Sequence, residues 1–438
     1  MTPIQSQALP LVLSGKDLIG QAKTGSGKTA AFGLGLLSRL DADVYQVQSL
    51  VLCPTRELAD QVAKQIRKLA RTIPNIKVLT LCGGVPMGPQ IGSLEQGAHI
   101  VVGTPGRIED HLRRGRLKLK RVTTLVLDEA DRMLEMGFQD TLKKIVEQIP
   151  NQRQTLLFSA TYPNEIQSIA KRIMDKPELI KVESTHDDLS IQQHFYQIET
   201  KEERFDGVCL LLLEHRPTST LVFCNTKREA QELSDRLKQT GFSVSALHGD
   251  LDQRARDQTL IKFSNKSIAV LIATDVASRG LDIDSVDAVI NYHIAQENEI
   301  HTHRIGRTGR AGAEGKAFSL YNSKEHYKVA QLGMYLDRDI VSERLPAASL
   351  LKTSPNQAVM ATLKIDGGKK QKLRPGDILG ALTGKNSGEK GIAGPSVGKI
   401  DLADNWAYVA VARTEVKTAL KKLSEGKLKG KNFRVRRL

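Results

Sequence analysis

A chain of 438 residues, 40% hydrophobic and 26% charged, has the composition of a globular protein and the length for two or three domains. It holds no apolar run near the ~20 residues of a membrane helix and no basic, apolar leader, so we expect a cytoplasmic protein. Four cysteines without a Cys-x-x-Cys pair favour reduced, buried thiols. The net charge of +15 is uneven: residues 358–438 hold 18 Lys and Arg against 7 Asp and Glu, and the remainder 46 against 42. The basic segment predicts a nucleic-acid partner, with a solvated tail as the alternative.

Short apolar strands alternate with helical stretches through residues 1–185. Each strand is followed by a polar turn and then a helix, which predicts a doubly wound parallel sheet with functional turns along one edge. The predicted strands are residues 18–20, 49–53, 100–102, 124–127 and 155–158.

The same rhythm restarts after the polar residues 183–190. Strands predicted at residues 220–224, 244–247, 270–273 and 288–290 indicate a second α/β domain over residues 191–345. Residues 346–357 read as a linker.

Residues 358–438 follow a different order of elements. The pattern predicts strands at 361–365, 397–402, 406–411 and 432–437, and helices near 375–383 and 413–424. This is the order of a small α+β domain, a split βαβ sandwich with its helices on one face.

A glycine-rich turn follows the first predicted strand. Its glycines let backbone N–H groups approach phosphate oxygens, and the next helix offers its positive end. Lys28 would reach the β- and γ-phosphates and Thr29 would ligate Mg²⁺, so we expect ATP and Mg²⁺ as cofactors. Ala22 stands where a first glycine is usual. The candidate nucleotide-binding residues of this loop are Ala22, Lys23, Thr24, Gly25, Ser26, Gly27, Lys28 and Thr29.

Two carboxylates follow the strand at 124–127. Ligands of open parallel sheets bind at the carboxyl ends of strands, where Asp128 would hold Mg²⁺ through water and Glu129 would deprotonate the attacking water. A purely structural role in capping a helix is the alternative.

Three arginines recur at intervals of three in the second domain. If the segment is helical, Arg304, Arg307 and Arg310 lie on roughly one face and would supply the cation that phosphoryl transfer needs. An active site shared by two domains would couple hydrolysis to a domain motion. A basic surface turn is the alternative.

These motifs, in this order, resemble the DEAD-box ATP-dependent RNA helicases over nearly the whole chain. The resemblance implies two tandem RecA-like domains and rests on Asp128-Glu129-Ala130-Asp131, on the P-loop and on further motifs at residues 54–59, 83–84, 104–107, 159–161, 253–256, 273–275, 279–282 and 303–310.

The family's functional residues carry over position by position. Gln5 would read the adenine edge and Asp282 would lie near the ribose, while Arg307 and Arg310 would reach the γ-phosphate. Residues that would couple ATP to strand separation are Asp131, Ser159, Thr161 and His303. Residues that would grip the RNA backbone are Arg56, Gly84, Thr104, Arg107, Arg256, Thr274 and Arg279.

One departure concerns the N-terminus. The family has a helix and an adenine-stacking aromatic residue upstream of the glutamine, and Gln5 has neither before it. The chain is therefore expected to be truncated or its start mis-assigned, with consequences for adenine selectivity and first-domain stability.

The last ~80 residues resemble the RNA-binding domain of bacterial DbpA-type DEAD-box proteins, an RRM-like fold. The resemblance rests on residues 363–370, 374–377, 397–400 and 406–411. It implies RNA contacts by Lys369, Lys370 and Tyr408, and binding to a 23S rRNA hairpin during assembly of the large ribosomal subunit. Trp406 and Tyr408 are expected to face opposite sides of a strand, with either ring a candidate for base stacking.

The sequence therefore predicts a monomeric, cytoplasmic, ATP-dependent RNA helicase that separates short duplexes. Two rivals stay open. One is an ATP-gated RNA clamp or scaffold without productive unwinding, against which Glu129 and the Ser159-Ala160-Thr161 motif argue. The other is a DNA helicase, which only the family resemblance disfavours.

Overall fold

The computed structural model describes residues 1–22, 25–182, 191–278, 286–309, 314–384 and 391–438. It contains two seven-stranded sheets and one four-stranded sheet. The chain divides into two compact units, the first built on the first sheet and the second on the other two. Within the described ranges, no helix has the length and apolar character needed to cross a membrane.

All strands of the first sheet run parallel, in the order β3-β4-β2-β5-β6-β1-β7. The central strands are apolar and buried on both faces, as parallel sheets covered by helices require. The strands are β1 Leu18–Gln21, β2 Ser49–Leu52, β3 Val78–Leu81, β4 Ile100–Gly103, β5 Thr124–Asp128, β6 Gln154–Ser159 and β7 Glu178–Lys181.

Helices cover both faces of this sheet, because successive strand residues point to opposite sides. Val126 belongs to one core cluster and Leu127 to the other. The helices are α1 Pro3–Leu13, α2 Lys28–Ser38, α3 Arg56–Leu69, α4 Met87–Glu95, α5 Pro105–Arg113, α6 Ala130–Glu135, α7 Gln139–Val146 and α8 Asn164–Ile173.

The second sheet is also parallel, in the order β10-β11-β9-β12-β13-β8-β14. Its strands are β8 Ile191–Gln197, β9 Thr220–Cys224, β10 Val244–Leu247, β11 Val270–Thr274, β12 Ala288–Asn291, β13 Gly315–Tyr321 and β14 Ser342–Glu343. Its helices are α9 Lys201–His215, α10 Lys227–Gln239, α11 Gln253–Ser264, α12 Asp275–Ser278, α13 Asn298–Ile305 and α14 His326–Tyr335.

The third sheet is antiparallel, in the order β16-β17-β15-β18. Its elements are β15 Met360–Ile365, α15 Pro375–Thr383, β16 Val397–Leu402, β17 Ala407–Ala412, α16 Val416–Glu425 and β18 Val435–Arg437. Side chains such as Leu363 and Val409 pack with Ile378 and Leu423 of the helices to form its core.

The predicted fold class is confirmed: two parallel-sheet α/β domains precede a small α+β domain. All nine strands predicted in the two large domains are present, but β3, β7, β8, β13 and β14 were not predicted. The four cysteines are free and buried, as expected. The exact domain limits stay a prediction.

Candidate active site and RNA-binding surfaces

Strand order in the first sheet brings the catalytic motifs together. β5, β6 and β1 are neighbours, and Gln21 pairs with Ser159 while Asp128 pairs with Phe158. The glycine-rich loop after β1 therefore lies beside the ends of β6 and β5. Segments far apart in sequence meet at the edge where doubly wound sheets bind ligands.

The loop has the backbone of a phosphate cradle. Gly25 and Gly27 have φ values of 87° and 96°, in the left-handed region that favours glycine. Helix α2 begins at Lys28, which is 6% exposed and donates from Nζ to the Ala22 carbonyl at 2.9 Å. The buried Ser26 hydroxyl has no hydrogen-bond partner. These donors fit a bound phosphate chain. Thr29 follows Lys28 on α2. Lys23 and Thr24 lie outside the described residues.

Gln5 reaches this loop from α1. Its amide nitrogen donates to the Gly27 carbonyl at 3.2 Å, and its amide oxygen accepts from the Thr2 backbone at 3.0 Å. A Cβ on Gly27 would lie 2.5 Å from that nitrogen and would displace the Gln5 amide. The amide thus lies beside the P-loop, while its adenine contact stays a prediction.

Asp128 and Glu129 stand at the turn from β5 to α6. Burial raises the pKa of Asp128 to about 6, although the Lys28 charge lowers it. Its Oδ1 is buried without a hydrogen-bond partner. Glu129 has φ 53°, a left-handed conformation that is strained for a residue with a side chain and is often found at functional sites.

These residues fit a magnesium ion that is held mainly by water and phosphate. Within the described ranges, no three His, Cys, Asp or Glu side chains cluster as metal ligands. Mg²⁺ in nucleotide sites commonly takes only one or two protein oxygens. The unsatisfied, buried Asp128 oxygen and the Thr29 hydroxyl are compatible with that arrangement.

Asp131 links the carboxylate motif to the end of β6. Its Oδ2 accepts from the backbone of Ala160 at 3.2 Å and of Thr161 at 3.0 Å, and from the Thr161 hydroxyl at 3.0 Å. Its own N–H donates to the Ser159 hydroxyl at 3.3 Å. The predicted coupling residues of the first domain thus form one hydrogen-bonded network.

The predicted RNA contacts of the first domain lie at the other half of the sheet. β3, β4 and β2 are neighbours, so the turns that carry Gly84, Thr104 and Arg56 adjoin one another. Both Nη atoms of Arg107 donate to the Val85 carbonyl at 3.1 Å, which fixes the loop that contains Gly84. Gly84 has φ 74°, another conformation that favours glycine.

The arginine segment of the second domain does not present three arginines on one face. Helix α13 ends at Ile305, and Arg304 is 2% exposed. Its Nε and Nη2 each donate to an Asp275 carboxylate oxygen at 2.7 Å, and Nη1 donates to the His293 carbonyl at 2.9 Å. Arg304 is therefore a structural residue that ties α13 to the end of β11, whereas Arg307 is partly exposed.

The other predicted residues of this domain lie around the same strand ends. Thr274 ends β11, and Arg256 on α11 donates to the Ala277 carbonyl at 2.6 Å. His303 is partly exposed on α13. Arg279, Asp282 and Arg310 lie outside the described residues.

The small domain exposes Lys369 and Lys370, whose backbone N–H groups donate to Ala403 and Asp404 at 2.9 Å. Trp406 is 38% exposed, but Tyr408 is only 3% exposed. The expectation that these rings face opposite sides is wrong. Residues two apart in an extended segment share a side, and both rings lie away from the domain's own core.

Comparisons with known proteins agree with this architecture. The family described as "DEAD/DEAH box helicase" matches residues 2–169, "Helicase conserved C-terminal domain" matches 200–312, and "DbpA RNA binding domain" matches 362–437. The chain is 51% identical to the ATP-dependent RNA helicase DbpA of Escherichia coli (strain K12) over 438 residues, covering 100% of this chain and 94% of that protein.

Two further relatives match about three quarters or more of the chain. The ATP-dependent RNA helicase CshA of Listeria monocytogenes is 50% identical over 325 residues, which are 74% of this chain and 62% of that protein. The structure of S. cerevisiae Dbp5 bound to RNA and ADP BeF3 matches with a TM-score of 0.70 and 31% identity, covering 80% of this chain and 93% of that one.

Two RecA-like sheets with these motifs, joined to an RNA-binding domain, define an ATP-dependent RNA helicase. The chain belongs to the DEAD/DEAH box helicase family. The helicase class predicted from the sequence, its use of ATP and its binding of RNA are thereby confirmed.

Proposed function

We propose that this helicase, acting as a monomer, binds a hairpin of 23S rRNA through its C-terminal domain and separates nearby short duplexes during assembly of the large ribosomal subunit. The observation that carries the proposal is the concentration of positive charge in residues 358–438, a folded domain apart from the ATP-binding motifs. Phosphate contacts position a protein on RNA but do not specify the sequence, so a separate domain has to choose the RNA.

In the proposed ATP site, Lys28 and the backbone N–H groups of the glycine-rich loop bind the β- and γ-phosphates. Thr29 and Asp128 would hold Mg²⁺, which would neutralise phosphate charge. The Glu129 carboxylate accepts the proton of the attacking water. Arg307 and Arg310 stabilise the charge that develops on the transferred phosphate.

The proposed RNA grip is sequence-blind and uses both large domains. In the first domain, Arg56, Gly84, Thr104 and Arg107 contact the sugar–phosphate backbone. The hydrogen-bonded network of the first domain couples the state of the nucleotide to that grip through Asp131, Ser159 and Thr161. His303 of the second domain takes part in the same coupling. Arg256, Thr274 and Arg279 contact the backbone from the second domain.

Competition binding tests the choice of RNA. The intact protein should bind a 23S rRNA fragment that contains the target hairpin more tightly than a scrambled fragment of equal length. Replacing Lys369 and Lys370 by Ala should abolish that preference, because these exposed lysines carry the proposed contact. Lys201→Ala removes an exposed lysine from the second domain and serves as the matched control.

Two results would contradict the proposal. One is equal affinity of the intact protein for both fragments. The other is an unchanged preference in the double lysine variant, which would move the specificity to a different surface.

A further inference from the structure

The four-stranded sheet of the C-terminal domain has an inner and an outer face. Leu363 and Val409 point inward to α15 and α16. Thr362, Lys364 and Tyr408 alternate with these core residues and point outward. In an RRM-like domain the outer face is the surface on which bases stack.

Most of this outer face is covered by the second large domain. Thr362 is 0% exposed, and its hydroxyl oxygen lies 3.2 Å from the Asn265 amide nitrogen and 2.6 Å from the Ser267 hydroxyl. The Met360 N–H donates to the Lys266 carbonyl at 3.2 Å. In this arrangement the middle of the face is occupied by protein.

Tyr408 belongs to the covered part. Burial raises the pKa of its hydroxyl, and the charge of Asp257 on α11 raises it further. With 3% of the residue exposed, its ring offers no surface to a base. An RNA contact by Tyr408 would require the two domains to separate.

Trp406 lies at the end of the face that stays uncovered. It precedes β17 in the turn from β16, and 38% of it is exposed. The buried Lys364 places its Nζ over the indole, 4.7 Å from the ring centroid. One face of the ring thus rests on a cation while the exposed part of the ring is available from solvent.

The surroundings of this ring are basic. Arg436 on β18 pairs with Lys364 across the sheet and lies 3.7 Å from Asp366, which also faces Lys364 at 3.9 Å. Burial lowers the pKa of Lys364, and the charges of Arg436 and of Arg254 on α11 lower it further. Lys364 and Arg436 thus lie beside Asp366, and Arg254 and Asp257 of α11 face the same part of the sheet.

We propose that Trp406 is the base-stacking residue of the C-terminal domain, and that an unpaired RNA base stacks on its exposed ring with neighbouring phosphates at Arg436 and Arg254. A ring beside fixed cations suits a base with its phosphate, because stacking accepts any base and the cations attract the backbone. Arg254 lies on α11, the helix that also carries Arg256, which is proposed to grip the backbone. The inference rests on the proposed function, since it places the RNA contact of the same domain.

The chain offers a direct spectroscopic test, because Trp406 is its only tryptophan. Single-stranded oligoadenylate added to the intact protein without nucleotide should quench the intrinsic fluorescence as a base stacks on the indole. A blunt RNA duplex with the same number of phosphates should quench much less, because its bases are already stacked. Anisotropy of labelled RNA reports binding independently.

Variants at neighbouring positions give the matched comparison. Trp406→Ala should weaken oligoadenylate binding roughly 5- to 150-fold, the loss that corresponds to one stacked base. Trp406→Phe keeps an aromatic face and should restore most of the affinity. Tyr408→Phe removes only a buried hydroxyl and should bind like the wild type. Unchanged thermal unfolding of Trp406→Phe shows that the fold persists.

Some results overturn this inference and leave the proposed function intact. One is RNA binding that anisotropy detects without any quenching of the Trp406 fluorescence. The other is wild-type affinity for oligoadenylate in Trp406→Ala. In both cases the preference for the ribosomal hairpin would still depend on Lys369 and Lys370. Loss of affinity in Tyr408→Leu with unchanged thermal unfolding, but not in Trp406→Ala, would place the base on the covered part of the face. If the double lysine variant keeps the preference while Trp406→Ala loses affinity, the lysine assignment fails and the stacking site stands.

Discussion

Replacing Arg304 by Met should destabilise the second domain rather than remove a catalytic cation. The side chain is 2% exposed and donates to Asp275 twice at 2.7 Å, to the His293 carbonyl at 2.9 Å and to the Asn225 side chain at 3.1 Å. Removing one partner of a buried ion pair costs about 3–5 kcal/mol. At roughly 2–4 °C per kcal/mol, thermal unfolding of this domain should fall by about 6–20 °C.

The matched control is Arg307→Met, three residues further along and partly exposed. Its thermal unfolding should change much less than that of Arg304→Met, because the side chain is only partly buried. Its kcat for ATP hydrolysis should fall by roughly 10³-fold, as loss of an arginine finger does. Both variants are measured by circular dichroism melting and by steady-state ATPase at a temperature below either transition. Wild-type melting of Arg304→Met together with a kcat loss like that of Arg307→Met would refute the assignment of Arg304 to the scaffold.

Four further predictions concern other parts of the molecule. Glu129→Gln should keep ATP binding but lower turnover by ~10²-fold or more, and a near-normal ATPase rate would exclude Glu129 as the base. Burial raises the pKa of Glu325, but the hydrogen bond between Glu325 and His293 helps to hold that pKa at about 2. The contribution of Glu325 to stability should therefore be lost as pH falls from 4.5 towards 2. Burial lowers the pKa of His293, yet the hydrogen bonds of His293 to two glutamates leave that pKa above 6.5. The contribution of His293 to stability should therefore be present below pH 6.5 and disappear as pH rises through the raised pKa. Urea unfolding across pH checks both signs, and a His293→Gln profile identical to wild type would contradict the second. Thr362→Val should weaken the packing of the C-terminal domain on the second domain by about 1–3 kcal/mol, because the Asn265 amide loses its hydrogen-bond partner. Unchanged thermal unfolding would show that this contact adds nothing to stability.

Most of the strands predicted in the two large domains are buried along nearly their whole length. Residues 49–52 and 270–273 are apolar throughout and buried, so a short apolar run identifies them. β7 is an edge strand, exposed at three of four positions, and β8 carries glutamines and a histidine. The pairing of such strands depends on the neighbouring strands, and no local pattern in their own sequences predicts it.

Side-chain roles were predictable where a motif fixes both neighbours and function. The P-loop glycines and the carboxylates after β5 follow from a strand, a turn and a helix in succession. The burial of Arg304 does not follow from such a motif, because its partner Asp275 begins a different helix, α12, and helix α13 ends before Arg307. Likewise, the exposure of the Trp406 and Tyr408 rings depends on how the third sheet packs against α11, and no local sequence pattern predicts that packing.

The central claim is that the C-terminal domain chooses the RNA on which the two RecA-like domains act. Strand displacement by the intact protein, with ATP, tests it most directly. A short duplex joined to the 23S rRNA hairpin should be separated much faster than the same duplex joined to a scrambled hairpin. ATP hydrolysis that the hairpin stimulates without any separation of the duplex would indicate a clamp. Equal rates of separation with and without the hairpin would contradict the account.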